Sequence, residues 1–264
     1  MENSTRLPDR CAAALFVSDV HLQETMPRTT QAFIDFLRLH AIHSHSVYLL
    51  GDLFEAWPGD DDLGSPYNRV IVDALRRLHD AGVALFWIAG NRDFLVGPDF
   101  AAATGAILLP DPSLITIGER GIILTHGDAQ CTDDADYMAF RQTVRQSAWQ
   151  QQFLGMPLQE RKAVAARLRS GSKEAQRMKS SMIMDVNAAA IDALFEQERA
   201  ATLIHGHTHR PACHRGESNG RERVRLVLPD WDCEGSTARG GWIAADAAGM
   251  LRCVGLDGSA SDAV

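Results

Sequence analysis

No apolar run in these 264 residues approaches the ~18 needed to cross a bilayer as a helix, so no membrane span is expected. There is no Cys-x-x-Cys pair. Five cysteines, an odd number at scattered spacings, argue against a disulfide framework and a structural zinc knuckle. A cleavage site is missing too: the polar start, Met1 to Arg10, is followed by a short apolar run, Cys11 to Val17, that leads straight into Ser18-Asp19. The reading is therefore a cytoplasmic chain without a signal peptide. A basic surplus is also absent, since 26 Lys and Arg stand against 34 Asp and Glu; a net charge of −8 argues against nucleic acid as a general partner. Internal repeats and low-complexity segments are not seen.

What is present is an ordinary globular composition, 45% hydrophobic and 23% charged, and length enough for one large domain or a domain with an insertion. Apolar runs predict strands at Ala12 to Val17, Val47 to Leu50, Val83 to Ile88, Gly121 to Leu124 and Thr202 to Ile204. Helices are predicted at Thr29 to His40 and Asn68 to Ala81, the second stopped by Gly82. Arg223 to Leu228 and Gly241 to Ala245 are expected as late strands of a second sheet, and Asp257 to Val264 as a frayed tail. About 75 residues between the fourth and fifth strands carry no strand signal, and Ala135 to Phe153, Arg161 to Leu168 and Ser180 to Glu198 are helical by period. This is too long for a loop and reads as a helical insertion in an α/β layered fold. Inside it, Arg161, Lys162, Arg167, Arg169, Lys173, Arg177 and Lys179 accompany one acid, Glu174. Such a run is either a solvated helix face or a surface that meets anions.

Each early strand ends in a small residue and then in Asp, Asn or His. Asp19-x-His21, Gly51-Asp52, Gly90-Asn91, His126 and His205-Gly206-His207 follow in order. Ligands of α/β sheets sit at carboxyl ends of strands, so seven oxygen and imidazole donors are expected on one edge: Asp19, His21, Asp52, Asn91, His126, His205 and His207. That number suits two divalent ions, with a carboxylate such as Asp52 able to bridge a pair ~3.5–4 Å apart. Imidazole, carboxylate and amide without thiolate favour Mn²⁺, Fe or Zn over Mg²⁺.

This series resembles the calcineurin-like metallophosphoesterase family over residues 12 to about 212. The resemblance implies a four-layer α/β/β/α sandwich with two metals, Mn²⁺ with Fe or Zn as substitutes. It places Asp19, His21 and His207 on one ion, Asn91, His126 and His205 on the other, and Asp52 between them. Gly51-Asp52-Leu53-Phe54-Glu55-Ala56-Trp57, Gly90-Asn91-Arg92-Asp93, His126-Gly127-Asp128 and His205-Gly206-His207-Thr208-His209-Arg210-Pro211 are similar to a lipid-directed branch of that family, which cleaves the pyrophosphate of a UDP-linked diacylglucosamine. That likeness implies a core of residues 1–133 and 200–264, and a lipid-binding helical cap of 134–199. Asp52, Asn91, Arg92 and His205 would be catalytic, and Asn91, Arg92, Asp134, Ser172, Gln176, Lys179 and His205 would touch substrate. Gln176 is a departure, Asn being commoner there, and Arg92 stands where many family members have His. Loss of that His fits a good phosphate leaving group that needs no dedicated acid.

The acyl chains need an apolar home, for which the insertion offers Met138, Phe140, Phe153, Leu154, Met156, Leu158, Met178 and Met182. The same residues could pack the insertion's own core. The implied location is the cytoplasmic face of the inner membrane, held peripherally by basic and apolar side chains. Alternatives are a broader phosphodiesterase or nucleotide pyrophosphatase, a nuclease, and a non-catalytic scaffold, which would tolerate eroded ligands. Oligomeric state is not legible.

Overall fold

Three prolines at the first turn of three helices, and apolar stripes behind them, organise the first half of this computed structural model, which describes residues 12–178, 185–218 and 220–263 and only the backbone of 170–178 and 218. The first half runs β1 (Ala12–Val17), α1 (Pro27–Leu39), β2 (Ser44–Leu50), α2 (Pro66–Asp80), β3 (Ala84–Ile88), α3 (Pro98–Thr104), β4 (Ala106–Leu109), β5 (Ser113–Ile117) and β6 (Arg120–Leu124). Four helices follow: α4 (Ala135–Val144), α5 (Ser147–Leu154), α6 (Leu158–Met178) and α7 (Ala188–Glu198). The chain closes with β7 (Thr202–His205), β8 (Ala212–Ser218), β9 (Arg221–Val227), β10 (Gly241–Ala245), β11 (Leu251–Gly255) and β12 (Ala260–Asp262).

Pro27, Pro66 and Pro98 open α1, α2 and α3, where a missing N–H costs nothing. The buried stripes of α1 (Phe33, Phe36, Leu37) and α2 (Ile71, Leu75, Leu78) cover one face of a sheet ordered β12-β11-β10-β1-β2-β3-β4, in which β1 to β4 run parallel. A second sheet is ordered β5-β6-β7-β9-β8. Strand alternation sorts the cores. Leu15 and Val17 face α1 to α3, while Phe16, Ile88, Ile122, Leu124 and Ile204 pack between the sheets. Ile123 and Leu203, on the outer face of the second sheet, pack on Ile191, Leu194 and Phe195 of α7. The layers are therefore α/β/β/α, as the resemblance implied, and the parallel strands of both sheets end at one edge.

Several local expectations are corrected. β10 does not join the second sheet: it pairs antiparallel with β1 in the first, with Phe16 opposite Ile243. The expected tail holds β12, which pairs with β11, and Ala263 is buried. β4, β5 and β8, short or on sheet edges, gave no sequence signal. The stretch 135–153 is two helices, because Gln146 takes an extended backbone at φ −72°, ψ 134°. α6 exceeds the expected 161–168, and of 180–198 the described helix begins after Asn187, whose side chain caps it by accepting from the Ala190 N–H.

Candidate metal centre and adjoining cleft

The ends of β1 and β2 run side by side as loops. Asp19 N donates to Gly51 O (3.1 Å), His21 N to Asp52 O (3.0 Å) and Leu22 N to Leu53 O (2.8 Å). The third strand-end loop is drawn in by Asp93, whose buried carboxylate accepts from the backbone N–H groups of Gly90, Asp52, Leu53 and Phe54. Gly51, at φ +82°, allows this approach: a Cβ there would lie 2.5 Å from Gly90 Cα. Asp19, His21, Asp52, His207 and His209 all hold left-handed backbone, φ between 53° and 68°. For residues other than glycine this costs about 1 kcal/mol or more each, and such strain gathers at functional sites.

Among the described residues two groups of donors result, Asp19 with His21 and His209, and Asp19 with Asp52 and His126, each with ligand atoms within 4.8 Å of one another. In the first, His21 Nε2 and His209 Nε2 face each other at 3.1 Å, and His209 Nε2 lies 3.2 Å from Asp19 Oδ1. In the second, His126 Nε2 is 3.6 Å from Asp52 Oδ1. Asn91 Oδ1 lies 2.9 Å from His126 Nε2 and 2.8 Å from His207 Nδ1.

The donor set fits divalent cations. Asp19 Oδ1 is buried and faces the rings of His209 (Nε2 at 3.2 Å) and His21 (Nε2 at 3.9 Å), while Oδ2 takes the Ser18 hydroxyl and the His207 N–H. Burial opposes the Asp19 charge, yet the hydrogen bond and charge of His209, with His126 and His21, hold its carboxyl well below the usual range. Burial likewise opposes protonation of His126, but Asp52, Asp19 and Asp128 push it up to about 9. A pocket that raises an imidazole this far is electron-rich and attracts positive charge. Burial and Asp52 push Asp93 up to about 7.

The histidine pairing read from sequence is corrected. The imidazole beside Asp19 and His21 is His209, not His207, and the one beside Asn91 and His126 is His207, not His205. His205 is still inside β7, opposite Val227. Two residues after Leu203, it shares the outer face, where its Nε2 meets Arg225 Nη1 at 3.1 Å and its Nδ1 meets Gly206 O at 2.8 Å. Burial, with Arg225 nearby, lowers its pKa to about 3. Beyond β7 the backbone swings His207 and His209 to the shared edge. The signal lay in His205-x-His207-x-His209, two overlapping repeats, of which strand length selects the second.

A cleft of about 420 Å³ opens beside this centre. Glu55, Asn91, Arg92 and Asp134 line its polar part; Trp57, Phe94, Leu95, Phe140, Trp149, Phe153 and Leu168 line its apolar part. Arg92 Nε is buried with no hydrogen-bond partner among the described residues. Phe140 and Phe153 come from the expected apolar set, whereas Met156 packs into the core and Leu154 is exposed. The side chains of Ser172, Gln176 and Met178 and the whole of Lys179 and Met182 lie outside the described residues. Of the basic run, the described side chains other than the exposed Arg167 are paired with acids. Arg161 is buried on Asp61 and Pro58 O, Lys162 meets Asp62 at 2.6 Å, and Arg169 meets Glu55 at 2.7 Å, while Arg167 lines the cleft.

Sequence reasoning also passed over the ties between α4 and the centre. Asp128, fully buried, accepts from Tyr137 Oη (2.7 Å) and Arg141 Nε (2.8 Å), and Arg145 Nη2 donates to Gly90 O (2.9 Å). The Tyr137 ring lies 5.9 Å from that of His207.

Residues 13–211 match the family described as Calcineurin-like phosphoesterase. The chain is 49% identical to a UDP-2,3-diacylglucosamine hydrolase of Chromohalobacter salexigens, over 82% of this chain and 88% of that one. It is 49% identical to the enzyme of the same name from Aromatoleum aromaticum (83% and 89% covered). A third, from Salmonella arizonae, is 47% identical (86% and 94% covered).

Proposed function

The chain belongs to the calcineurin-like phosphoesterase family, and on that premise we propose that it hydrolyses the pyrophosphate of UDP-2,3-diacylglucosamine, releasing UMP and 2,3-diacylglucosamine 1-phosphate in lipid A biosynthesis. The observation that carries this reading is one continuous cleft, with Asn91 and Arg92, whose Nε has no partner among the described residues, at one part and an aromatic and aliphatic lining at the other. A diphosphate joined to two acyl chains has that division of chemistry. No helix among the described residues is long and apolar enough to cross a membrane. The reading has the enzyme taking its lipid peripherally at the cytoplasmic face of the inner membrane.

Two Mn²⁺ ions, replaceable by Fe or Zn, are the proposed cofactors. Asp19, His21 and His209 would hold one, Asn91, His126 and His207 the other, and Asp52 would reach both. When bound, such ions neutralise phosphoryl oxygens and make water a nucleophile near neutral pH. Arg92 forks onto a phosphate oxygen pair, bidentate and always charged. Asn91 and Asp134 set the polar end of the substrate, and Phe94, Phe140, Trp149 and Phe153 shield the acyl chains from water. Residues 134–199 serve as the cap that completes this wall. His205, occupied by Arg225, has no part in the chemistry.

The test is UMP release from UDP-2,3-diacylglucosamine by metal-stripped protein, before and after Mn²⁺, with Asp52→Ala alongside. Release that needs Mn²⁺ and vanishes in the variant is expected. Intact turnover of bis-p-nitrophenyl phosphate without UMP release would leave a dimetal hydrolase with another substrate.

A further inference from the structure

His21 uses its two ring nitrogens in opposite directions. Nε2 faces His209 and Asp19, while Nδ1 lies 2.8 Å from Glu55 Oε2, an ion-pair contact whose angle falls outside that of a hydrogen bond. Glu55 is buried, 6% exposed, and its other oxygen, Oε1, is gripped by Arg169 of α6 through Nε (3.1 Å) and Nη2 (2.7 Å). The same Nη2 also reaches Gln23 Oε1 at 3.2 Å, on the loop that carries His21. The run Arg169, Glu55, His21, Asp19 therefore connects a helix of the cleft wall to the metal-side cluster through polar contacts alone.

We infer that Glu55 is a positioning residue that fixes His21 for cation binding, and that Arg169 locks Glu55, so that seating of α6 and metal binding at Asp19, His21 and His209 are coupled. An imidazole can ligate only through a nitrogen that carries no proton. A carboxylate beside Nδ1 favours the tautomer with its proton there and turns the ring, which leaves Nε2 free to ligate. A free glutamate would sample several rotamers. With Oε1 held by a guanidinium fork, Oε2 is left for His21. Coupling of this kind is reciprocal, so a cation bound at the cluster also holds α6 down. The other tethers of α6 differ: Arg161 and Lys162 bind Asp61 and Asp62, away from the cluster. This inference rests on the reading above that Asp19, His21 and His209 hold a cation.

The experiment titrates Mn²⁺ into the metal-stripped full-length protein and follows bound metal directly, with thermal unfolding recorded beside it. Glu55→Gln should weaken the affected site about 10–100-fold, the range for a lost partner of a ligating histidine. Arg169→Met should weaken the same site by a smaller factor, and the double variant should be no weaker than Glu55→Gln alone. Lys162→Met, which unties the same helix elsewhere, should leave Mn²⁺ affinity unchanged. Equal effects of Arg169→Met and Lys162→Met, or additive losses in the double variant, would overturn the coupling. Should Glu55→Gln not fold, the contrast between Arg169→Met and Lys162→Met still decides. Wild-type protein that binds no Mn²⁺ overturns the metal reading and this inference together. Metal binding without UMP release overturns only the lipid reading.

Discussion

The strand-end loops that carry Asp19, Asp52, Asn91, His207 and His209 are held by backbone, whereas α4 to α6 are held by side chains. In the loops, N–H and C=O groups bond loop to loop, Asp93 gathers four N–H groups, and five donor residues take left-handed φ values. Across the cleft, α6 is fastened by Arg161, Lys162 and Arg169 and α4 by Tyr137 and Arg141, each to an acid on the strand side. The loops are thus a rigid frame for ions that demand fixed geometry. The helical wall bears exposed Phe140 and Leu168 and needs only to fit chains that have no directional bonds. Rigidity goes where the chemistry is directional.

If that contrast is sound, damage at the frame should abolish turnover and damage at the wall should change substrate preference. Asp52→Ala should have the largest effect, a loss of about 10³-fold or more in kcat/KM, several kcal/mol of transition-state stabilisation, with little change in Tm. His209→Ala and His205→Ala sharpen the frame itself. The first should weaken Mn²⁺ binding more than about 10-fold, and the second should leave it near wild type; metal titration distinguishes them. Asp93→Ala strands buried N–H groups, which cost about 1–3 kcal/mol apiece when unsatisfied. Its net loss is expected near ~3 kcal/mol, seen as a Tm lowered by about 6–12 °C in calorimetry. The smallest effect belongs to the wall. Phe140→Ser should raise KM for the diacylated substrate by about 10-fold, the ~1.5 kcal/mol of one partly buried aromatic ring. Hydrolysis of bis-p-nitrophenyl phosphate by this variant should be unchanged.

The same contrast explains what could be read without a structure. The ends of β1, β2, β3 and β6 were legible because an apolar run that stops at a donor is a local signal. Which imidazoles of His205, His207 and His209 reach the edge was not. The answer depends on β7 staying paired with β9 through Val227, a contact between segments that local sequence does not announce. β10 is apolar along its whole length, as a covered strand of either sheet would be, so nothing in Gly241 to Ala245 assigns it to the first. The basic run of α6 left a solvated face and an anion-meeting surface equally open, because the partners of Arg161, Lys162 and Arg169 (Asp61, Asp62 and Glu55) lie more than 90 residues upstream. Phe94 and Trp149 line one cleft from different parts of the chain, their rings 6.2 Å apart. Helical period says that such residues share a face, but not which loop that face meets.

The most direct measurement is the ratio of kcat/KM for UDP-2,3-diacylglucosamine to that for bis-p-nitrophenyl phosphate, in Mn²⁺-loaded wild-type protein and in Phe140→Ser. A ratio of several orders of magnitude that falls about 10-fold in the variant, through KM alone, is expected of a frame and wall acting on one lipid substrate. A ratio near one, unmoved by the substitution, would contradict it.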